Sequence, residues 1–316
     1  MKFDKIVAFA GGVGGARLAH GLVQSIPGNQ LTIIVNTGDD FIFNGLNISP
    51  DIDTVCYTLA GMENPSTGWG IREDTHQVLE GIQKLGGEAW FSLGDRDIAT
   101  HLVRTQALKQ NVKLSEITSQ ICLRMGITAK VLPMSDEPVH TKVQIKGGRW
   151  LDFQEYFVHQ GCQPEVAGFR FEGQAEARPA PGVMAALKNA DLVVICPSNP
   201  WVSIDPILGI KSIKHALKNQ CVVAVSPLIG GKAVKGPLNK MFTELGIKPS
   251  SLAVGEHYRD FLKGILIDTI DREEAAALEA FGIITKTTDI LMKNTGDRKR
   301  LAEEILEFGK ILKQSK

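Results

Sequence analysis

Gly11-Gly12-Val13-Gly14-Gly15 places four glycines in five residues, between an apolar run at 5–10 and a stretch at 16–23 with helical character. Glycine permits positive φ and close approach of a ligand, and a helix N-terminus offers free N–H groups with a partial positive charge. That combination suits a phosphate or diphosphate, and a side chain at Gly14 is expected to fill the diphosphate's space without disturbing the fold. The next apolar run, 30–35, ends in Asn36-Thr37-Gly38-Asp39-Asp40, and Ser49-Pro50-Asp51-Ile52-Asp53-Thr54 follows. Carboxylates beyond the C-terminal ends of strands sit where open α/β sheets bind ligands. Beside a phosphate they call for a cation, and Mg²⁺ fits through its preference for oxygen. Asp51 and Asp40 are the expected ligands; Asp39 and Asp53 complete the candidate catalytic set. At one or two of the four, a carboxylate that merely caps a turn or helix is the alternative. Asp51 and Asp53 alternate along the chain, so one cation is not expected to use both unless Pro50 starts a turn. Asp51 is assigned to the metal or the attacking hydroxyl, and Asp53 to the cap of a helix from Thr54.

Other chemistries are excluded or weaker. A dinucleotide fingerprint laid on Gly12 and Gly14 needs a third glycine where Arg17 stands, and Asn36 replaces the acid that would hold a ribose. No G-K-[ST] forms a P-loop, no G-x-S-x-G forms a nucleophile elbow, and the seven histidines lack H-x-x-x-H spacing. His20 and His101 lie on helices and read as core or rim residues. Ser198 and Asn199, between Pro197 and Pro200, are suited to reading a base or ribose, or form a structural turn. Gly230-Gly231 with Lys232 and Lys235 offers phosphate chemistry, with a flexible surface loop as the alternative. Trp69 between Gly68 and Gly70 either meets a planar heterocycle or packs on nearby helices. Arg72 and Arg96 are placed to meet phosphate or carboxylate.

The elements that must position these residues follow from periodicity. Strand–helix alternation at the start returns with strands at 190–195, 220–225, 252–254, 264–267 and 283–286, and helices at 272–281 and 297–312. Recurrence of this kind predicts an α/β fold: a doubly wound, mostly parallel Rossmann-like sheet. Loops 11–15, 196–203 and 226–236 then converge at its C-terminal edge. Helices at 54–62, 73–85, 98–108 and 116–125 (capped by Ser115), with a short strand at 89–93, form a helical insertion, 54–127, over the mouth of the site. The core is 1–53 with 128–316. Residues 141–145 and 149–153 make a small β-hairpin around Gly147-Gly148, and 161–181 form a loop or short strands. With 316 residues, 43% hydrophobic, and 35 basic against 35 acidic residues, the chain has no global field for nucleic acid or anionic membrane. No run approaches a membrane span and no signal pattern opens the chain. Its five scattered cysteines read as reduced core residues, so a cytoplasmic location is expected.

In this order, Gly11-Gly-Val-Gly-Gly-Ala-Arg17, Asn36-Thr-Gly-Asp-Asp40, Ser49-Pro-Asp-Ile-Asp-Thr54, Gly68-Trp-Gly70 and Leu93-Gly-Asp-Arg-Asp-Ile-Ala-Thr100 resemble the 2-phospho-L-lactate transferases of coenzyme F-420 biosynthesis. Pro197-Ser-Asn-Pro200 and Ser226-Pro-Leu-Ile-Gly-Gly-Lys232 extend the likeness over nearly the whole chain. The resemblance implies a guanylyl diphosphate donor, lactyl-2-diphospho-5′-guanosine, and a deazaflavin acceptor, 7,8-didemethyl-8-hydroxy-5-deazariboflavin, with GMP released. It also implies a homodimer. Expected substrate-binding residues are Gly11, Gly12, Gly14, Gly15, Trp69, Arg72, Asp95, Arg96, Ser198, Asn199, Gly230, Gly231 and Lys232. A non-catalytic nucleotide-sugar-binding regulator on the same core is the rival; the insertion with Trp69 and its acids favours the transferase. A nicotinamide dehydrogenase is weak given Arg17 and Asn36.

Overall fold

The computed structural model describes residues 3–314. Seven strands form one all-parallel sheet in the spatial order Lys130–Pro133, Leu31–Val35, Ile6–Ala10, Leu192–Ile195, Val222–Val225, Gly264–Asp268 and Ile284–Thr288. The first strand is apolar at all five positions because both its faces are covered. Its side chains alternate between two cores: Ile6, Ala8 and Ala10 join one cluster, Val7 and Phe9 the other. Gly12–Ser25, Pro50–Leu59 and Thr295–Gln314 contribute buried residues to the first cluster. The helices Gly12–Ser25 and Thr295–Gln314 cross so closely that a Cβ at Gly21 would strike the Arg298 carbonyl.

The chain leaves Ile6–Ala10 toward one edge and later returns beside it at Leu192–Ile195 to build toward the other. The order therefore reverses between these two strands. In an open α/β sheet the crevice outside such a switch point is where ligands bind, and it is bordered here by the glycine turn and by the loop after Ile195.

Several local expectations are corrected. Helix Pro50–Leu59 begins at Pro50 with Ser49 in the cap position, so Asp53 lies inside the helix and caps nothing. Proline at the first helical position suits a fixed φ and a missing N–H. The boundary expected between 53 and 54 falls inside this helix. Helix Leu114–Arg124 has Lys113 in the cap position; Ser115 instead donates its N–H and hydroxyl to Asp136 at 2.7 and 2.9 Å. Residues 89–93 form no strand, because Trp90 and Phe91 turn into an aromatic cluster with Phe41 and Phe43. Residues 252–254 lie in helix Ser251–Tyr258, where the Ser250 hydroxyl accepts from Ala253 N–H.

The hairpin His140–Ile145 with Trp150–Asp152 forms as expected, and Val166–Glu172 adds a third antiparallel strand. A second hairpin, Phe41–Phe43 with Leu46–Ile48, turns at Asn44 (φ 48°) and Gly45 (φ 76°). The Asn-Gly pair is the usual sequence for such a turn; that signal was in the chain. Among the described residues, no helix is long and apolar enough to cross a membrane.

Candidate active site

A cavity of about 720 Å³ opens at the switch point. The glycine turn forms its floor. Gly11 is extended (φ −149°), and Gly12, at φ +64°, starts the helix; its N–H donates to Asp51 Oδ1 at 2.7 Å. Gly11, Gly12, Val13 and Gly14 line the cavity, so the helix N-terminus faces it. Gly11 and Gly14 are required by packing, and Gly15 is tightly packed. A Cβ on Gly11 would lie 2.6 Å from Ser203 Cβ, one on Gly14 would run into the Pro197 carbonyl, and one on Gly15 would come within 3.0 Å of Ser198 Oγ. Gly15 lies behind the wall. Ser198 fastens this loop by donating to the Gly11 carbonyl at 2.9 Å.

The expectation for Gly14 is thereby corrected: its missing side chain makes room for protein, not ligand. Gly14→Val should lower both thermal stability, by about 1–3 kcal/mol for overpacking, and affinity for GDP. Melting curves beside calorimetric titration check it; weakened GDP with an unchanged melt would contradict the packing role.

Four carboxylates divide between two environments. Asp51 accepts from Gly12 N–H and from Asn36 Nδ2 (2.9 Å), and Asn36 also donates to the Val202 carbonyl at 3.2 Å. Asn36 thus ties the second strand's end to both the acids and the 197–203 loop. Burial pushes Asp51 up to about 6 against those hydrogen bonds. Asp39 lines the cavity beside it, and burial, then the charges of Asp51 and Asp40, hold it well above the usual carboxylate range. Asp40 lies outside the lining; its carboxyl is raised chiefly by burial and accepts from Ser49 Oγ at 2.6 Å. Asp39 Oδ1 and Asp40 Oδ1 are both buried without a hydrogen-bond partner.

Asp53 faces the other way on its helix. Both its oxygens accept from Arg104, one at 3.0 Å from Nη1, and Oδ2 lies 3.5 Å from His101 Nδ1. Burial works against the charge of Arg104, but Asp53 outweighs it and holds the guanidinium more firmly protonated than usual. His101 Nε2 is 3.2 Å from Asp97 Oδ1, which accepts from the Tyr57 hydroxyl at 2.7 Å. Asp53, Asp97 and His101, all buried, bring their ligand atoms within 4.8 Å of one another.

The remaining expected residues separate. Trp69, 45% exposed, stands in the cavity wall. Arg72, Asp95 and Arg96 do not line it. Asp95 accepts from Thr75 Oγ1 and the N–H groups of Gln77 and Val78, Arg72 donates to Gly61 O, and Arg96 pairs with Asp74 at 3.6 Å. Asp95 and Arg96 tie residues 74–78 to helix Asp95–Lys109, while Arg72 closes the 61–72 segment on itself. Ser198 and Asn199 are in the wall, yet Asn199 Oδ1 accepts from Trp201 and Val202 N–H and caps the turn at Pro200–Ile204. Gly230 and Gly231 (φ 57° and 66°) make the tight turn of a small hairpin, and Lys232 is exposed outside the lining. The lysine that reaches the cavity is Lys235, donating to the Thr67 carbonyl at 2.6 Å.

Sequence reasoning missed Arg17 and the far wall of Trp90, Phe91, Phe153 and Phe157. Phe153 and Phe157 stack at 5.4 Å, and Trp90 stacks on His159 at 4.9 Å. The cavity therefore joins a phosphate-ready, acid-lined end to an aromatic end.

The family described as 2-phospho-L-lactate transferase CofD matches residues 6–295. The phosphoenolpyruvate transferase of Streptomyces griseus is 40% identical over 311 residues, covering 96% of this chain and 98% of that protein. The 2-phospho-L-lactate transferase of Methanosarcina mazei is 37% identical over 302 residues (96% and 99%), and that of Methanocaldococcus jannaschii 39% over 306 (96% and 97%). A crystal structure of a UPF0052 family protein from Bacillus halodurans matches with a TM-score of 0.62 at 17% identity, over 97% of this chain and 99% of that one, a likeness of fold alone.

Proposed function

The chain belongs to the 2-phospho-L-lactate transferase CofD family, a family of transferases, and from that premise we propose that it moves 2-phospho-L-lactate from lactyl-2-diphospho-5′-guanosine to a deazaflavin. The terminal ribityl hydroxyl of 7,8-didemethyl-8-hydroxy-5-deazariboflavin attacks the phosphorus bearing lactate, and GMP leaves. The observation that carries this is one cavity with both ends needed: a helix N-terminus with buried acids, and an aromatic wall.

Phosphoryl transfer of this type depends on in-line positioning and charge neutralisation more than on covalent help. With the Gly12 N–H committed to Asp51, the helix N-terminus holds the diphosphate by the N–H groups of Val13 and Gly14 and by its partial charge. The residues present fit Mg²⁺: Asp39 and Asp40 each have a buried carboxylate oxygen without a partner, and Asp39 is raised by burial and then by the charges of Asp51 and Asp40, which a divalent cation would offset. Asp39 and Asp51, both in the wall, would hold it, with Asp40 adding charge from behind. Bound there, Mg²⁺ would offset the charge that builds on the diphosphate as GMP departs. Asn36 and Gly12 keep the Asp51 carboxylate oriented, and the 197–203 loop closes the floor.

Trp69, Trp90 and Phe157 enclose the deazaflavin ring. Trp69→Ala should weaken acceptor binding several-fold, since aromatic stacking contributes about 1 kcal/mol beyond area burial, while donor binding barely changes. Fluorescence titration with each substrate separates the two; equal weakening would make Trp69 a support of shape.

Relatives named for phosphoenolpyruvate favour one further reading, in which the donor carries enolpyruvyl in place of lactyl. Purified protein with deazaflavin, Mg²⁺ and each donor in turn tests both by mass spectrometry, the enolpyruvyl product being lighter by two hydrogens. Absence of a phosphodiester product from either donor would sink the proposal. The subunit arrangement is proposed as a homodimer and the location as the cytoplasm.

A further inference from the structure

Arg17 and Lys235 stand in the cavity wall, and neither forms an ion pair with a carboxylate among the described residues. Arg17 Nε is buried without a hydrogen-bond partner, and Nη1 makes one long bond, 3.3 Å, to the Met292 carbonyl. A guanidinium carries five donors in a rigid fork, so most of its capacity points at something else. Glu63, the nearby acid, is already committed to Arg298 at 2.9 Å. Lys235 arrives from the loop after Val222–Val225, and its Nζ closes over residues 67–68 next to Val13. Both cations are held below their usual values, Arg17 by burial and then Arg298, Lys235 by burial and then Arg17. An arrangement of this kind is stabilised by an anion.

Resting on the transferase reading above, we infer that the Arg17–Lys235 pair receives the carboxylate of the three-carbon acid that the donor carries. The helix N-terminus is the diphosphate's own anchor. Arg17 lies five residues further along the helix, roughly 7.5 Å by helical rise, with its side chain leaning back toward the N-terminus. Arg17 lines the same cavity as Val13, one helical turn before it, so a substituent on the transferred phosphoryl group would meet it there. Val13, Ile290 and Met292 give that region apolar surface for the acid's carbon skeleton. A planar fork matches a carboxylate through two parallel hydrogen bonds. The same pair would serve lactyl and enolpyruvyl donors alike, since both present a carboxylate at this position.

The test compares Arg17→Gln, Arg17→Lys and Lys235→Gln with the unaltered protein, using GDP, the acid-bearing donor, and a donor whose carboxylate is replaced by carboxamide. For Arg17→Gln the KM for the acid donor should rise at least about tenfold, the scale of a lost charge-assisted hydrogen bond, while GDP affinity stays within twofold. Lys235→Gln should show a smaller rise, and Arg17→Lys a partial recovery. The unaltered protein should lose a similar factor on the carboxamide donor, and Arg17→Gln should lose nothing further. An equal loss of GDP affinity would make Arg17 a diphosphate group and overturn the inference, as would continued sensitivity to Arg17 with the carboxamide donor. Should Arg17→Gln fail to fold, Lys235→Gln with the two donors decides alone. Failure of the unaltered protein to transfer from either acid donor is a separate result, and it removes the transferase reading beneath.

Discussion

Asp51→Asn is expected to lower kcat by roughly 100- to 1,000-fold, the scale for removing one preorganised electrostatic group from a transition state. Asp51 is held by Gly12 N–H and Asn36 Nδ2 at the point where the glycine turn meets the acids, so its charge lies beside the diphosphate's anchor. The Mg²⁺ concentration for half-maximal rate should rise as well, because one carboxylate of the proposed ligand set is gone. Stability should respond differently. The folded-state value of Asp51, about 6, lies above its ordinary value of 3.8. Its contribution to stability is therefore present below the unfolded value and lost as pH rises through about 6. At neutral pH the group is ionised against its burial. Asparagine removes that cost, about 3 kcal/mol for a shift of this size, but turns one amide N–H toward a donor and loses a charge-assisted hydrogen bond of about 1.5–3 kcal/mol, so the melting temperature should hardly move. Stopped assays over a Mg²⁺ series beside melting curves check both halves; an active Asp51→Asn enzyme would take this carboxylate out of the chemistry.

The opposite balance is expected at Asp53. Asp53→Asn leaves the buried Arg104 guanidinium without its counter-charge, and breaking one side of a buried ion pair costs about 3–5 kcal/mol. For a chain of this length that is roughly 5–10 °C in melting temperature. The loss should come with a fall in activity that tracks unfolding, since Asp53 and His101 also border the cavity. Adding Arg104→Met to Asp53→Asn should recover part of the stability, because the orphaned charge disappears with its side chain. If the double variant melts below the single one, the cost lies in packing around Arg104 and not in its charge. The milder effect that a helix-capping role would give at this position is not expected, as Asp53 sits in the first turn of its helix and caps nothing.

Local signals were legible in the sequence. A run of glycines between an apolar strand and a helix has few uses, so the turn that joins the first strand to its helix could be read directly. Apolar strands alternating with helices implied the parallel sheet, because a strand buried on both faces shows a continuous hydrophobic run. Asn44-Gly45 likewise carries its hairpin locally, through the positive φ that both turn residues adopt.

Tertiary structure decided which partner each charged side chain takes. Asp51 and Asp53 are two residues apart, about 200° around a helix, so they face different neighbourhoods, and only the fold brings Arg104, 51 positions away, against one of them. Lys232 and Lys235 are chemically alike along the chain; the hairpin turn at Gly230-Gly231 sends one to solvent and the other over the cavity. Asp95, Arg96 and Arg72 carry the right charges for substrate, yet backbone N–H and carbonyl groups of the 61–78 segment claim them first. The aromatic wall draws Trp90 from one segment and Phe153 and Phe157 from another, an encounter that no period in the sequence encodes. Residue type and spacing determined what chemistry this chain could hold; long-range packing, by assigning each polar group its partner, decided which groups were left free to perform it.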